Sequence, residues 1–81
     1  MGYHTREFDK GVYGEVSKIQ EEYEEFLDAV KQNAKVLELC ELADLYGAIA
    51  GYVEQNFPGL NMDDIKQMSD MTRSAFEEGK R

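Results

Sequence analysis

The sequence predicts an all-α fold, an antiparallel helical hairpin followed by a third helix, with oligomerisation completing a four-helix-type bundle. Three observations carry this prediction. Val12, Val16, Ile19, Tyr23, Phe26 and Val30 recur at steps of four, three, four, three and four, the spacing of one apolar stripe on a helix. From Lys35 to Asn56 apolar residues occupy most of the helical circumference, as in a helix buried on several sides. Finally, Asn56-Phe57-Pro58-Gly59-Leu60 holds the only proline, directly followed by glycine, which is a strong turn signal.

The first helix is expected over about Tyr13 to Gln32, with Gly11 and Gly14 flanking its start. Residues 1–11 read as a polar, loosely held arm and residues 12–81 as a single helical domain. Between the first two helices only Gln32-Asn33-Ala34 interrupts the helical pattern. Asn tolerates the left-handed conformation that ends helices, so a tight turn is expected near Asn33. The rival, one unbroken helix of about 44 residues, far exceeds the globular average of about 11 to 12. The second helix carries Val36, Leu39, Cys40, Leu42, Ala43, Leu45, Tyr46, Ile49, Ala50 and Val53, and Cys40 reads as a buried small residue. Asn61 is the expected N-cap of the third helix, with Asp63 and Asp64 in its first turn and Gly79 closing it. Its core residues would be Ile65, Met68, Thr72, Ala75 and Phe76. Three short helices cannot cover the second on all its apolar sides, so an obligate homo-oligomer, at least a dimer, is expected.

Composition removes several classes of function. An 81-residue chain has room for one domain. Its net charge of −8 repels phosphate backbones and anionic lipid, which argues against a nucleic-acid polymer or a membrane as partner. One cysteine forms no internal disulfide, and no apolar run approaches membrane-spanning length. With no hydrophobic core in MGYHTREFDK, the expected location is the cytoplasm.

The chemistry lies in carboxylates. Folding the chain back at Asn33 pairs residues whose numbers sum to about 66, so Glu22 meets the level of Asp44 and Glu25 that of Glu41. Within each helix the two acids stand three residues apart, on one face. Ala48 and Gly51 continue the strip of Glu41 and Asp44 and leave space beside it. Four clustered anions are tolerable only with protons, basic partners or a bound cation. Oxygen donors select hard ions such as Mg²⁺ or Mn²⁺, and the absence of a neighbouring histidine or second cysteine argues against zinc.

Glu21-Glu22-Tyr23-Glu24-Glu25 forms an EExxE motif, and Glu41-Leu42-Ala43-Asp44 an ExxD motif after a fifteen-residue spacer. In this pair the chain resembles MazG-like nucleotide pyrophosphohydrolases, closely from about Glu15 to Ala50 and in general form over the third helix. The resemblance implies Mg²⁺-dependent hydrolysis of a nucleoside triphosphate to monophosphate and pyrophosphate. By the same resemblance Glu22, Glu25, Glu41 and Asp44 are metal ligands, and Glu21 is a further ligand or orients the attacking water, which makes Glu21 and Glu22 the catalytic candidates. It also implies dimers or tetramers with active sites near subunit contacts. A −8 protein binds a triphosphate only through metal ions and local cations. Lys18, one turn before Glu22, is the first such cation, and Lys66, Arg73 and Lys80 form a basic stripe at seven-residue spacing.

Plainer readings stand beside these. Lys18 with Glu22, Lys66 with Asp70 and Arg73 with Glu77 have i,i+4 ion-pair spacing. Met62, Met68 and Met71 read as core filling, and His4 has no evident functional partner. The alternative function is a non-catalytic acidic helical module that binds a basic protein.

Overall fold

The computed structural model describes residues 7–77 and residue 79. It is all-α, with α1 at Val16–Lys31, α2 at Lys35–Asn56 and α3 at Met62–Glu77. His4 and Lys80 lie outside the described residues.

α1 starts three residues later than the periodicity predicts. Gly14 takes φ +91°, which no helix accommodates, and Glu15 becomes an extended N-cap without a side-chain capping bond. At the other end Asn33 takes φ 56°; its N–H donates to the Val30 carbonyl at 2.9 Å and that of Ala34 to Ala29 at 3.2 Å. This pair of bonds is a Schellman motif with Asn at the left-handed position, and it turns the chain into the predicted hairpin. α2 ends before Pro58. Asn61 and Asp64 then exchange bonds, Asp64 N–H to Asn61 Oδ1 at 3.1 Å and Asn61 N–H to Asp64 Oδ2 at 2.9 Å, a capping box that starts α3. Gly79 takes φ +75°, and its N–H reaches the Phe76 carbonyl at 3.1 Å.

α1 and α2 pack along their length, while α3 touches the hairpin only marginally. The seam buries few apolar residues among those described, Ala29, Ala48 and Val53, and four acids, Glu21, Glu22, Asp28 and Glu41. Burial of α2 on several sides is not seen in the single chain. Val36 and Leu39 are 80% and 69% exposed, Tyr46 is also exposed, and so is Cys40. The physical reason is that α3 does not lie along α2, so only the side facing α1 is covered. The expected core of α3 is likewise open, with Met68 and Phe76 exposed.

Residues 10–14 form a strap against the hairpin. A Cβ on Gly11 would lie 2.3 Å from the Ser17 carbonyl oxygen and 2.5 Å from the Lys18 Cα, so only glycine permits this approach. The Val12 N–H donates to Ser17 Oγ at 3.0 Å, and Asn56 Nδ2 donates to the Gly14 carbonyl at 3.2 Å. The Tyr13 ring lies over Gly51, where a Cβ would approach it to 2.5 Å. The free space expected beside Gly51 is therefore filled by an aromatic ring, and this end of the arm is pinned.

Candidate metal centre

The hairpin brings the acids of α1 and α2 together. Glu22, Glu41 and Asp44 each offer an oxygen within 4.8 Å of the others, and so do Glu21, Glu22 and Glu25. Glu22 belongs to both groups. Glu22 and Glu41 are buried, Glu25 is half-buried and Asp44 is exposed, so the site has a closed floor and a mouth at Asp44. The four acids thus form two overlapping triads with Glu21, joined through one carboxylate.

Burying anions requires compensation, and part of it is a lysine. Lys18 Nζ lies 3.0 Å from Glu21 Oε1 and 3.1 Å from Glu22 Oε2. The two carboxylates raise the Lys18 pKa, chiefly through the hydrogen bond to Glu21 and then that to Glu22. Glu21 has one further donor, the Gly11 N–H at 2.9 Å, and an ion-pair partner in Lys10, whose Nζ is 3.8 Å away. Burial pushes its carboxyl upward, but the Gly11 bond and Lys18 together outweigh that and leave it below the ordinary carboxylate value. The basic partner that crowded anions require is therefore on the same helix, one turn away.

By sequence spacing, two further acids extend the pattern. Asp28 continues the three-residue step from Glu22 and Glu25, Glu38 precedes Glu41 by three, and their numbers again sum to 66. Asp28 is buried and accepts from Gln32 Nε2 at 2.8 Å; Glu38 lies 3.5 Å from Lys35 Nζ. The three-residue periodicity contained this third level, but the tetrapeptide motifs stop short of it. Gly11 was also missed as a functional contact, because nothing in the arm signals a backbone donor ten residues from its acceptor. Glu24 accepts from Gln20 at 3.1 Å and is in neither triad.

The basic residues of α3 are arranged differently. Lys66 Nζ pairs with Asp70 at 2.7 Å and Arg73 Nε with Glu77 at 3.2 Å, both exposed and within α3. Lys66 also lines an open groove with Tyr46, Ile49, Met62 and Ile65. The structure thus joins Lys18 to the acids of α1 and engages Lys66 and Arg73 along their own helix.

The donor set fits a hard divalent cation: carboxylate oxygens only, from two helices, at close range, and partly shielded from water. No helix of the described residues is long and apolar enough to cross a membrane.

The family model for phosphoribosyl-ATP pyrophosphohydrolase matches residues 2–68, which includes both acidic motifs and about the first two turns of α3. It describes a pyrophosphohydrolase family related to, but distinct from, the MazG-like enzymes that the motifs resemble. No curated protein and no solved structure matches the chain.

Proposed function

This chain belongs to the phosphoribosyl-ATP pyrophosphohydrolase family, and on that premise we propose that it is a Mg²⁺-dependent hydrolase cleaving the α–β phosphoanhydride of a nucleoside triphosphate or its phosphoribosyl derivative. The products are the monophosphate and pyrophosphate, the outcome that the MazG-like motifs also suggest. The observation that carries this reading is the convergence of Glu22, Glu41 and Asp44 from two helices within 4.8 Å.

In this proposal Glu22, Glu25, Glu41 and Asp44 hold Mg²⁺, or Mn²⁺ in its place. Bound there, the cation neutralises phosphate oxygens and acidifies a water. The chain does the rest. Carboxylates of the cluster orient that water and take its proton. Glu21 is a further ligand through Oε2 or an orienter of that water, with its Oε1 held by the Gly11 N–H and Lys18. Lys18 offers phosphate a positive charge near the metal site, and Lys66 and Arg73 do so if substrate draws them from Asp70 and Glu77. A second copy covers the exposed Val36, Leu39 and Tyr46 of α2 in a homodimer or homotetramer. The lone Cys40 suits the reducing cytoplasm.

The test is a hydrolysis panel of nucleoside triphosphates and phosphoribosyl-ATP, with and without Mg²⁺, scored for pyrophosphate. Metal-dependent release supports the enzyme. Absence of release from every substrate, together with capture of a basic protein, would establish the acidic interaction module instead.

A further inference from the structure

We propose that Lys18 is a resident counter-cation of the acidic site, which a divalent ion must displace from Glu22 before both motifs can ligate it. This rests on the metal-binding reading above and adds a competitor to it.

The argument starts from Glu22. It is the one carboxylate shared by the two groups of potential ligands, so neither group is complete without it. Its Oε2 is also 3.1 Å from the Lys18 ammonium. An ammonium and a divalent ion held by one carboxylate lie within a few ångströms of each other, with partial burial weakening the screening between them. The two cations therefore compete. The side chains of Glu21 and Glu22 are almost wholly buried, at 3% and 7% exposure, whereas that of Lys18 is 30% exposed. Lysine can consequently leave toward solvent while the carboxylates stay.

Where it goes is set by Glu21. That carboxylate is fixed independently by the Gly11 N–H and approached by Lys10, and the strap holding Gly11 is so close to Ser17 and Lys18 that a Cβ does not fit. Lys18 thus loses its contact with Glu22 when that carboxylate is taken and keeps the one with Glu21. The ammonium remains at the rim as a single cation tethered to Glu21, available to the phosphate that arrives with the metal. Glu21 is in this account a positioning residue, acting through Lys18. An ordinary i,i+4 ion pair on a solvated face has none of these consequences, because its acid is not a shared ligand.

The experiment measures Mn²⁺ binding by electron paramagnetic resonance to wild type, Lys18→Met and Glu22→Gln, with helicity followed by circular dichroism. Competition predicts that Lys18→Met binds Mn²⁺ about fivefold or more tightly, while Glu22→Gln loses most binding. In wild type, the ¹⁵N-lysine resonance missing from Lys18→Met should shift on titration with diamagnetic Mg²⁺ as the Glu22 contact breaks. Equal or weaker Mn²⁺ binding by folded Lys18→Met, with Glu22→Gln still deficient, overturns the proposal and leaves the metal site standing. Should Lys18→Met not fold, Lys18→Arg identifies the resonance instead, and its invariance up to Mg²⁺ saturation overturns the proposal equally. If Glu22→Gln binds Mn²⁺ as wild type does, the metal-site reading fails and takes this inference with it.

Discussion

The backbone N–H of Gly11 donates to Oε1 of Glu21 at 2.9 Å, across ten residues of chain. It ties the arm to a buried carboxylate, and a Cβ at position 11 would collide with the backbone of Ser17 and Lys18. Gly11→Ala is therefore expected to detach the strap and remove a hydrogen bond to a charged group, costing about 1.5–3 kcal/mol. Urea denaturation reads this directly. An unchanged midpoint would mean that the strap adds nothing to stability.

Glu25→Gln and Asp44→Asn are nearly isosteric and each removes one ligand charge. Each should lower pyrophosphate release by roughly a hundredfold or more, given that even outer-shell substitutions typically cost 10- to 100-fold. Far-ultraviolet circular dichroism should not change. Glu24→Gln is the control, since Glu24 is in neither triad. Loss of helicity in both ligand variants would instead assign the acids a structural role.

Mg²⁺ should stabilise the folded chain. A ligand bound only to the native state contributes about 2.7 kcal/mol at 100 times its dissociation constant, visible as a rise in Tm. Na⁺ at matched ionic strength isolates binding from screening. The double variant Glu22→Gln/Asp44→Asn should gain little from Mg²⁺, and an equal gain in both proteins would identify a solvated acidic face.

The exposed apolar side of α2 predicts self-association. Leu39→Glu places a charge among Val36, Leu39 and Tyr46, all exposed in the single chain, and should shift sedimentation toward the 9.3 kDa monomer. A wild type that already sediments as a folded monomer at micromolar concentration contradicts the oligomer.

A pH effect is expected on α3. The Lys66 hydrogen bond, opposed by desolvation, lowers the Asp70 pKa, and the same bond raises that of Lys66. Because the folded carboxyl is the more acidic, its contribution is complete above the unfolded value and is lost as pH falls through the folded one. For Lys66 the sign reverses: its contribution is complete below the ordinary lysine value and is lost as pH rises through the elevated one. The Asp70 carboxyl carbon, followed by NMR, should titrate at lower pH in wild type than in Lys66→Met. Coincident curves would show that the pair has no effect in solution.

The hairpin was legible because its signals are local. Asn33 supplies the left-handed residue, Pro58-Gly59 ends α2, and Asn61 with Asp64 caps α3. The approach of Glu22 to Glu41 and Asp44 was legible for the same reason, since helical spacing and a turn of known position determine which parts of the two helices meet. Contacts made by the backbone were not. The Gly14 conformation that delays α1, the Tyr13 ring over Gly51 and the Gly11 bond to Glu21 depend on close approaches that side-chain periodicity does not encode. Nor could the pattern of α2 reveal that α3 leaves much of it uncovered, because an apolar surface looks alike in sequence whether its own chain covers it or not.

The turn at Asn33 also acts as a length gauge. The register that brings Glu22 of α1 to Glu41 and Asp44 of α2 holds only because the connection between the two helices has its present number of residues. One residue added there would rotate the start of α2 by about 100° relative to α1 and advance it by about 1.5 Å, turning Glu41 and Asp44 away from Glu22 without altering either motif. Lengthening elsewhere, as in the loop before α3, carries no such penalty. Among natural relatives, insertions and deletions should therefore be scarce at this connection and tolerated after Asn56, a pattern set by helical phase rather than by the identity of any catalytic side chain.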